Sequence, residues 1–204
     1  MKTTINYTIT FFSEWHAGSG LTSGSDLSAL VIKDKTGLPY IPGRTLKGLL
    51  REAAEELYDL GRCKPEFLKM VFGLPPKQTN NASIDAEDDG MSEKGNCFFS
   101  NAILAGDINT IAVKNKLTKF FYRSVASTSI VETGIAKKGS LRSMETTIPC
   151  TLYAEITEFP SGTDTDFKAD IELCFKWIKR LGQNRHRGLG RCQFEIVKEE
   201  EVAI

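Results

Sequence analysis

The feature that most limits what this chain can fold into is a switch of apolar period, from two to 3.6 and back, that occurs twice. "TTINYTITFF" alternates Ile5, Tyr7, Ile9 and Phe11 with Thr4, Asn6, Thr8 and Thr10, the pattern of a strand buried on one face. "TLKGLLREAAEELYDLG" then sets Leu46, Leu49, Leu50, Ala53, Leu57 and Leu60 on one helical stripe that Gly61 stops. "NCFFSNAIL" (Asn96 to Leu104) reads as a short buried strand. The cycle then repeats. "TIPCTLYAEI" alternates Ile148, Cys150, Leu152, Ala154 and Ile156; "DTDFKADIELCFKWIKRLG" puts Phe167, Ile171, Cys174, Phe175, Ile178 and Leu181 on one helical face ahead of Gly182; "RCQFEIV" alternates Cys192, Phe194 and Ile196.

The order β-α-β, insertion, β-α-β predicts an α+β fold of the ferredoxin-like (RRM-like) split βαβ kind, with both helices on one face of an antiparallel sheet. Such a topology serves many unrelated functions. The aromatic-studded strand of RNA-recognition modules is absent from the central strands. The 204 residues suit one domain, residues 1–204, interrupted by two insertions. Residues 74–95 are polar and acidic, the composition of a mobile surface loop. Residues 107–144 intersperse Ile111, Val113, Phe120, Phe121, Val125 and Ile130 with cations, which suits a hairpin-like, thumb-like arm for stacking on bases, or equally a partner-docking arm. Five scattered cysteines without CxxC read as reduced thiols in a cytoplasmic protein, with no zinc site. Neither a signal peptide nor a membrane span is expected.

Charge is balanced at 26 cations and 26 anions, but it is segregated. Lys176 to Arg191 holds six cations and no acid, and Lys114 to Arg142 holds seven cations against Glu132. Acids gather in "DAEDDG" and "KEEE". The pattern points to a positive face for a polyanion, against the plain alternative of solvated surface. After the first strand, Gly18, Gly20 and Gly24 make an irregular loop that carries Ser25 and Asp26. "GLPYIPGRTLKG" then feeds the first helix and places Arg44, Thr45 and Lys47 where backbone N–H groups favour phosphate, with Thr45 as its expected N-cap and Arg51 one turn beyond Lys47. "KDKTG" at Asp34 reads as a type I turn.

Three stretches carry a resemblance. "GLPYIPGRTLKGLLREA", "GxxxxGSLRxxE" (Gly134 to Glu145) and "GQNRHRGLGR" (Gly182 to Arg191) resemble, in order, the landmarks of the RAMP superfamily of CRISPR-associated proteins. With "STSIVETGIAKKGSLRSME" the chain is most similar to backbone subunits of type III effector complexes, of the Csm and Cmr kind. The resemblance implies an antiviral subunit that self-associates along a CRISPR RNA. Its other partners would be target RNA, further RAMP subunits and the large subunit of the complex.

It implies RNA contacts from Arg44, Thr45, Lys47 and Arg51, from Lys137, Lys138 and Arg142 on the arm, and from Arg185, His186, Arg187 and Arg191. The glycines Gly182, Gly188 and Gly190 would let the RNA backbone approach. Asp26 matches the loop aspartate with which several such subunits cut target RNA, as a metal-dependent endoribonuclease using Mg²⁺ held by Asp26. Relatives that process precursor CRISPR RNA use a histidine without metal, and His16 is the candidate for that alternative. A third possibility is a non-catalytic RNA-binding subunit.

Overall fold

The computed structural model describes residues 2–22, 29–74, 93–160 and 167–197. The first strand, β1 (Lys2–Phe11), leads through a long connection into helix α1 (Gly43–Asp59). A short helix, α2 (Pro65–Phe67), runs on as a π turn over Leu68–Phe72. Two-residue strands β2 (Gly73–Leu74) and β3 (Glu93–Lys94) pair with each other, and β4 (Phe98–Phe99) follows. Helix α3 (Gly106–Lys114) and a 3-10 turn (Thr118–Phe121) precede a hairpin of β5 (Tyr122–Ser127) and β6 (Arg142–Thr147). Strand β7 (Thr151–Pro160), helix α4 (Lys168–Trp177) and strand β8 (Cys192–Ile196) complete the described chain.

The main sheet has the order β4-β7-β1-β8, and every neighbouring pair is antiparallel. Period two decides its faces. Ile5, Tyr7, Ile9 and Phe11 of β1 are buried beside Leu152, Ala154 and Ile156 of β7 and Cys192 and Phe194 of β8. Against them lie Leu46, Leu50, Ala53, Ala54 and Leu57 of α1 and Ile171, Cys174 and Phe175 of α4. The Tyr7 ring packs 4.9 Å from Phe175. Each such side chain contributes roughly 1.5–3 kcal/mol on leaving water, so this one interface holds the layers together. The opposite face carries Thr4, Asn6, Tyr153, Gln193 and Glu195 in contact with solvent.

Several expectations need correction. The stretch Asn96 to Leu104 is not one buried strand: only Phe98–Phe99 pair as β4, isolated bridges at Ala102 and Ile103 follow, and Phe98 is exposed. The α1 stripe ends at Leu57; Leu60 lies past the helix and is exposed. Helix α4 stops at Trp177, five residues before Gly182, because Ile178 turns extended (ψ 114°) and Arg180 bridges to Arg191. The segment 107–144 is not hairpin throughout. It opens as helix α3, and its paired strands span only Tyr122 to Thr147. The acidic segment 74–95 lies largely outside the described residues, since 75–92 are not among them. No disulfide joins the five cysteines, and all but Cys150 are buried. Among the described residues no helix is long and apolar enough to cross a membrane.

Candidate nucleic-acid interface

Three segments far apart in sequence meet just beyond the end of β1. Trp15 pairs by both main-chain groups with Thr147 of β6, at 3.0 and 2.7 Å. The next residue, His16, is completely buried. Its Nδ1 lies 2.6 Å from the Glu145 carbonyl, which can only accept, so the ring proton sits on Nδ1. Its own carbonyl accepts the Gln183 N–H at 3.0 Å. From His16 the chain runs into two short antiparallel stems, in which Ser19 donates to Leu30, Leu30 to Leu21 and Ile32 to Ala17. The first strand's end, the base of the β5–β6 hairpin and the glycine-rich loop thus share one junction.

The glycine-rich loop is shaped by the protein's own backbone. A Cβ on Gly182, whose φ is +100°, would stand 2.5 Å from the His16 carbonyl oxygen; on Gly190 (φ +71°) it would stand 1.9 Å from that of Leu181. No side chain fits either place. At these two positions the missing side chain makes room for the chain itself. Gly188, at φ +94°, has open space around it. Between them Asn184 adopts a left-handed conformation and Arg185–Arg187 form one 3-10 turn, which turns His186 and Arg187 out to solvent. Arg185 is half-buried, 3.8 Å from Glu52 of α1, and Arg180 donates to its carbonyl at 2.8 Å. Arg191 is exposed, with its guanidinium 5.8 Å from the Phe12 ring centre.

The start of α1 differs from expectation. Pro42 is the N-cap and Thr45 lies inside the first turn, so Thr45 is not the cap. The helix begins three residues early because Gly43 fits against the Phe99 carbonyl, where a Cβ would stand 2.0 Å away. Asn101 then caps the helix from β4's side by accepting the Gly43 N–H at 2.9 Å. Arg44 and Thr45 are exposed. Lys47 is half-buried over the Phe99 ring, and Arg51 pairs with Glu55 one turn on at 2.7 Å. Arg44, Lys47 and Arg51 form one stripe by their spacing. Glu52 and Glu56 take the flank facing the loop, with Glu56 accepting from Trp177 Nε1 at 2.6 Å. They line a cleft of about 190 Å³ between α1 and the loop. Lys179, Arg180 and Arg185 line the same cleft, so its two carboxylates face three cations.

On the arm, Lys137, Lys138 and Arg142 are exposed and make no ion pair with a described residue. They stand near Ile130, Val131, Ile135 and Leu141, all exposed. The arm's base is fastened by acids. Glu14 meets Arg123 at 3.1 Å and Thr146 at 2.8 Å, and Glu145 meets Lys33 at 2.8 Å. Asp34 caps its own turn, accepting from Thr36 and Leu38. A groove of about 950 Å³ between α4 and β8 continues the basic surface through Lys176, Lys179, Arg180 and Arg191, with Glu172 and Glu195 on its walls.

The fold therefore gathers the glycine-rich loop, the stems around residues 22–28 and the arm's base, and keeps the α1 stripe on another flank. Asp26 lies outside the described residues. His16 does not present its ring to solvent, which removes the access that the expected acid–base role needs. Its Nε2 faces Gly18 with no partner among the described residues. Among those residues no three of His, Cys, Asp and Glu are grouped to hold a metal ion. Sequence reasoning passed over Glu145, Glu14 and Lys33. Only Glu145 carried a signal, as the last letter of "GSLRxxE".

Comparison with known proteins bears on the fold. One similar solved chain comes from the type III-B Cmr-beta complex in its apo state, with 13% identity, 96% of this chain and 98% of that chain covered, and a TM-score of 0.63. Another comes from type III-B Cmr-beta bound to cognate target RNA, with 12% identity, 95% and 97% coverage, and a TM-score of 0.67. At such identity the likeness is one of fold. No curated protein sequence matches. The family model of the RAMP superfamily matches residues 8–193, nearly the whole chain, and the chain belongs to that superfamily.

Proposed function

We propose that the chain is an RNA-binding backbone subunit of a type III CRISPR effector complex, one that cuts guide-paired target RNA through Asp26. The observation that carries this reading is the junction at His16. It brings the exposed cations of the glycine-rich loop, the base of a projecting hairpin and both stems of the Asp26 segment to one place. The sheet order and its two helices on one face support assigning the ferredoxin-like fold, with the β5–β6 hairpin as its thumb. The similarity to Cmr-beta chains, one of them bound to target RNA, supports the setting.

In this reading Arg187, His186 and Arg191 hold guide phosphates beside open Gly188, and Lys137, Lys138 and Arg142 reach the guide–target duplex. Sequence is read by base pairing, while the protein reads backbone shape and the 2′-hydroxyl. Asp26 positions that hydroxyl for attack on the adjacent phosphate. A Mg²⁺ ion would be held by Asp26 and RNA oxygens rather than by a protein cage, and would neutralise charge on the phosphate.

The test is the reconstituted complex with guide RNA and partner subunits, given labelled target RNA in Mg²⁺ or EDTA. Regularly spaced cuts that need metal and vanish in Asp26→Ala are expected. Target bound but uncut by wild type would leave a non-catalytic subunit. Metal-independent cutting of repeat RNA that is lost in His16→Ala would replace the reading with precursor processing.

A further inference from the structure

We infer that Glu145 is a positioning residue that fixes both stems of the segment 22–28 to the arm. The consequence for cleavage rests on the function proposed above; the clamp itself does not. Every polar group of Glu145 is engaged. Its N–H donates to the Ala29 carbonyl at 2.9 Å and its carbonyl accepts His16 Nδ1–H at 2.6 Å. Its Oε2 accepts the Val31 N–H at 3.1 Å, and its Oε1 takes the Lys33 ammonium at 2.8 Å. One residue on β6 thus holds the incoming stem through His16 and the outgoing stem through Ala29, Val31 and Lys33.

A packing role does not explain these contacts. Glu145 is only 9% exposed, and a carboxylate so enclosed is costly unless its oxygens are satisfied. A hydrophobic residue of similar size would fill the space without that cost. What the carboxylate supplies is direction: it accepts one particular amide, that of Val31. In extended chain a slip of one residue turns every side chain to the other face, so this bond fixes which way the outgoing stem faces.

The clamp also reaches the second arm strand. The Lys33 ammonium lies 4.0 Å from the ring centre of Tyr122 on β5, and the Tyr122 hydroxyl donates to the Gly37 carbonyl at 2.7 Å. Glu145 stands three residues from Arg142 on the same strand. Arm and stems therefore share an anchor, and the stems are placed relative to whatever the arm engages.

The first measurement uses the full chain without RNA. Hydrogen–deuterium exchange is read over residues 16–21 and 29–33 in wild type, Glu145→Gln, Glu145→Ala and Lys33→Met. Faster exchange at Ser19, Leu30 and Val31 is expected in Glu145→Ala. The effect should be smaller in Glu145→Gln, which keeps an acceptor for Val31, and β1 and β7 should be unchanged. Unaltered stem protection in Glu145→Ala, or loosening spread evenly over the sheet, overturns the clamp.

The second measurement uses the reconstituted complex. Single-turnover cleavage should fall by about 100-fold in Glu145→Ala, the order expected for ångström-scale misplacement. Target affinity should hold, and Glu145→Gln should recover part of the rate. Loosened stems with an unchanged rate, or affinity lost in step with rate, would overturn the positioning role. If wild type binds target without cutting it, the cleavage reading fails and the exchange result alone decides the clamp.

Discussion

The main-chain carbonyl of His16 accepts the Gln183 N–H at 3.0 Å, and the α-carbon of Gly182 lies so close to that carbonyl that a Cβ would meet its oxygen at 2.5 Å. The glycine-rich loop is thus tied to the end of β1 before any ligand arrives. Its glycines should then differ in how they tolerate alanine. Gly188→Ala pays only for a left-handed backbone, about 1–2 kcal/mol. Gly182→Ala and Gly190→Ala add a collision with main chain and should cost about 3 kcal/mol or more. Urea midpoints at constant m-value would rank them; equal losses at all three positions would contradict the distinction.

Asn101 caps α1 from outside the helix, accepting the Gly43 N–H at 2.9 Å. Asn101→Ala should lower stability by about 1 kcal/mol, the usual worth of an N-terminal cap. Asn101→Asp should retain it, since a carboxylate also suits the positive end of the helix dipole. Thermal melts of the two variants check this, and Thr45→Ala serves as the control because Thr45 does not cap.

The exposed Arg187 makes no ion pair with a described residue, whereas Arg51 already holds Glu55 at 2.7 Å. Arg187→Ala should therefore weaken guide RNA binding and reduce the slope of log K against log salt by about 0.7 per phosphate lost. Arg51→Ala should leave the slope nearly unchanged. Filter binding across a salt series reads both, and the reverse order would move the interface from the loop to α1.

Burial pushes the thiols of Cys63 and Cys150 up to about 11 and that of Cys192 to about 12, from an ordinary 9.0. Asp170 adds to the shift at Cys63. Above pH 9 the unfolded chain releases these protons before the folded chain does, so alkali favours unfolding. The urea midpoint should fall as pH rises from 9.0 towards 11, and native protein should resist thiol reagents near neutrality. A midpoint that rises over that window would contradict the burial of these groups.

How much of this was legible in the sequence depends on the range of the forces involved. The inward rows of β1, β7 and β8 follow from period two, and the faces of α1 and α4 from period 3.6, because one buried side repeats itself locally. The end of α4 was not legible. Its stop serves a pairing between Arg180 and Arg191 around Gly182, which contacts His16, more than a hundred residues away. Helix α3 hid for another reason: Ile108, Ile111 and Val113 are all exposed, so no single buried stripe marked it as helical. At the candidate site the cations were legible as charge, but the Glu52 partner of Arg185 was not. Glu145 showed only as the close of a motif, since each of its four partners lies at least 112 residues away in sequence.

The rung that joins Gly73 to Lys94 and Leu74 to Glu93 has a consequence for chain length. The two ends of the stretch between these strands are held side by side. Closing such a stretch costs only about 0.6 kcal/mol more for each doubling of its length. A change in the number of residues between these two strands should therefore cost the fold little, because the rung that closes it stays the same.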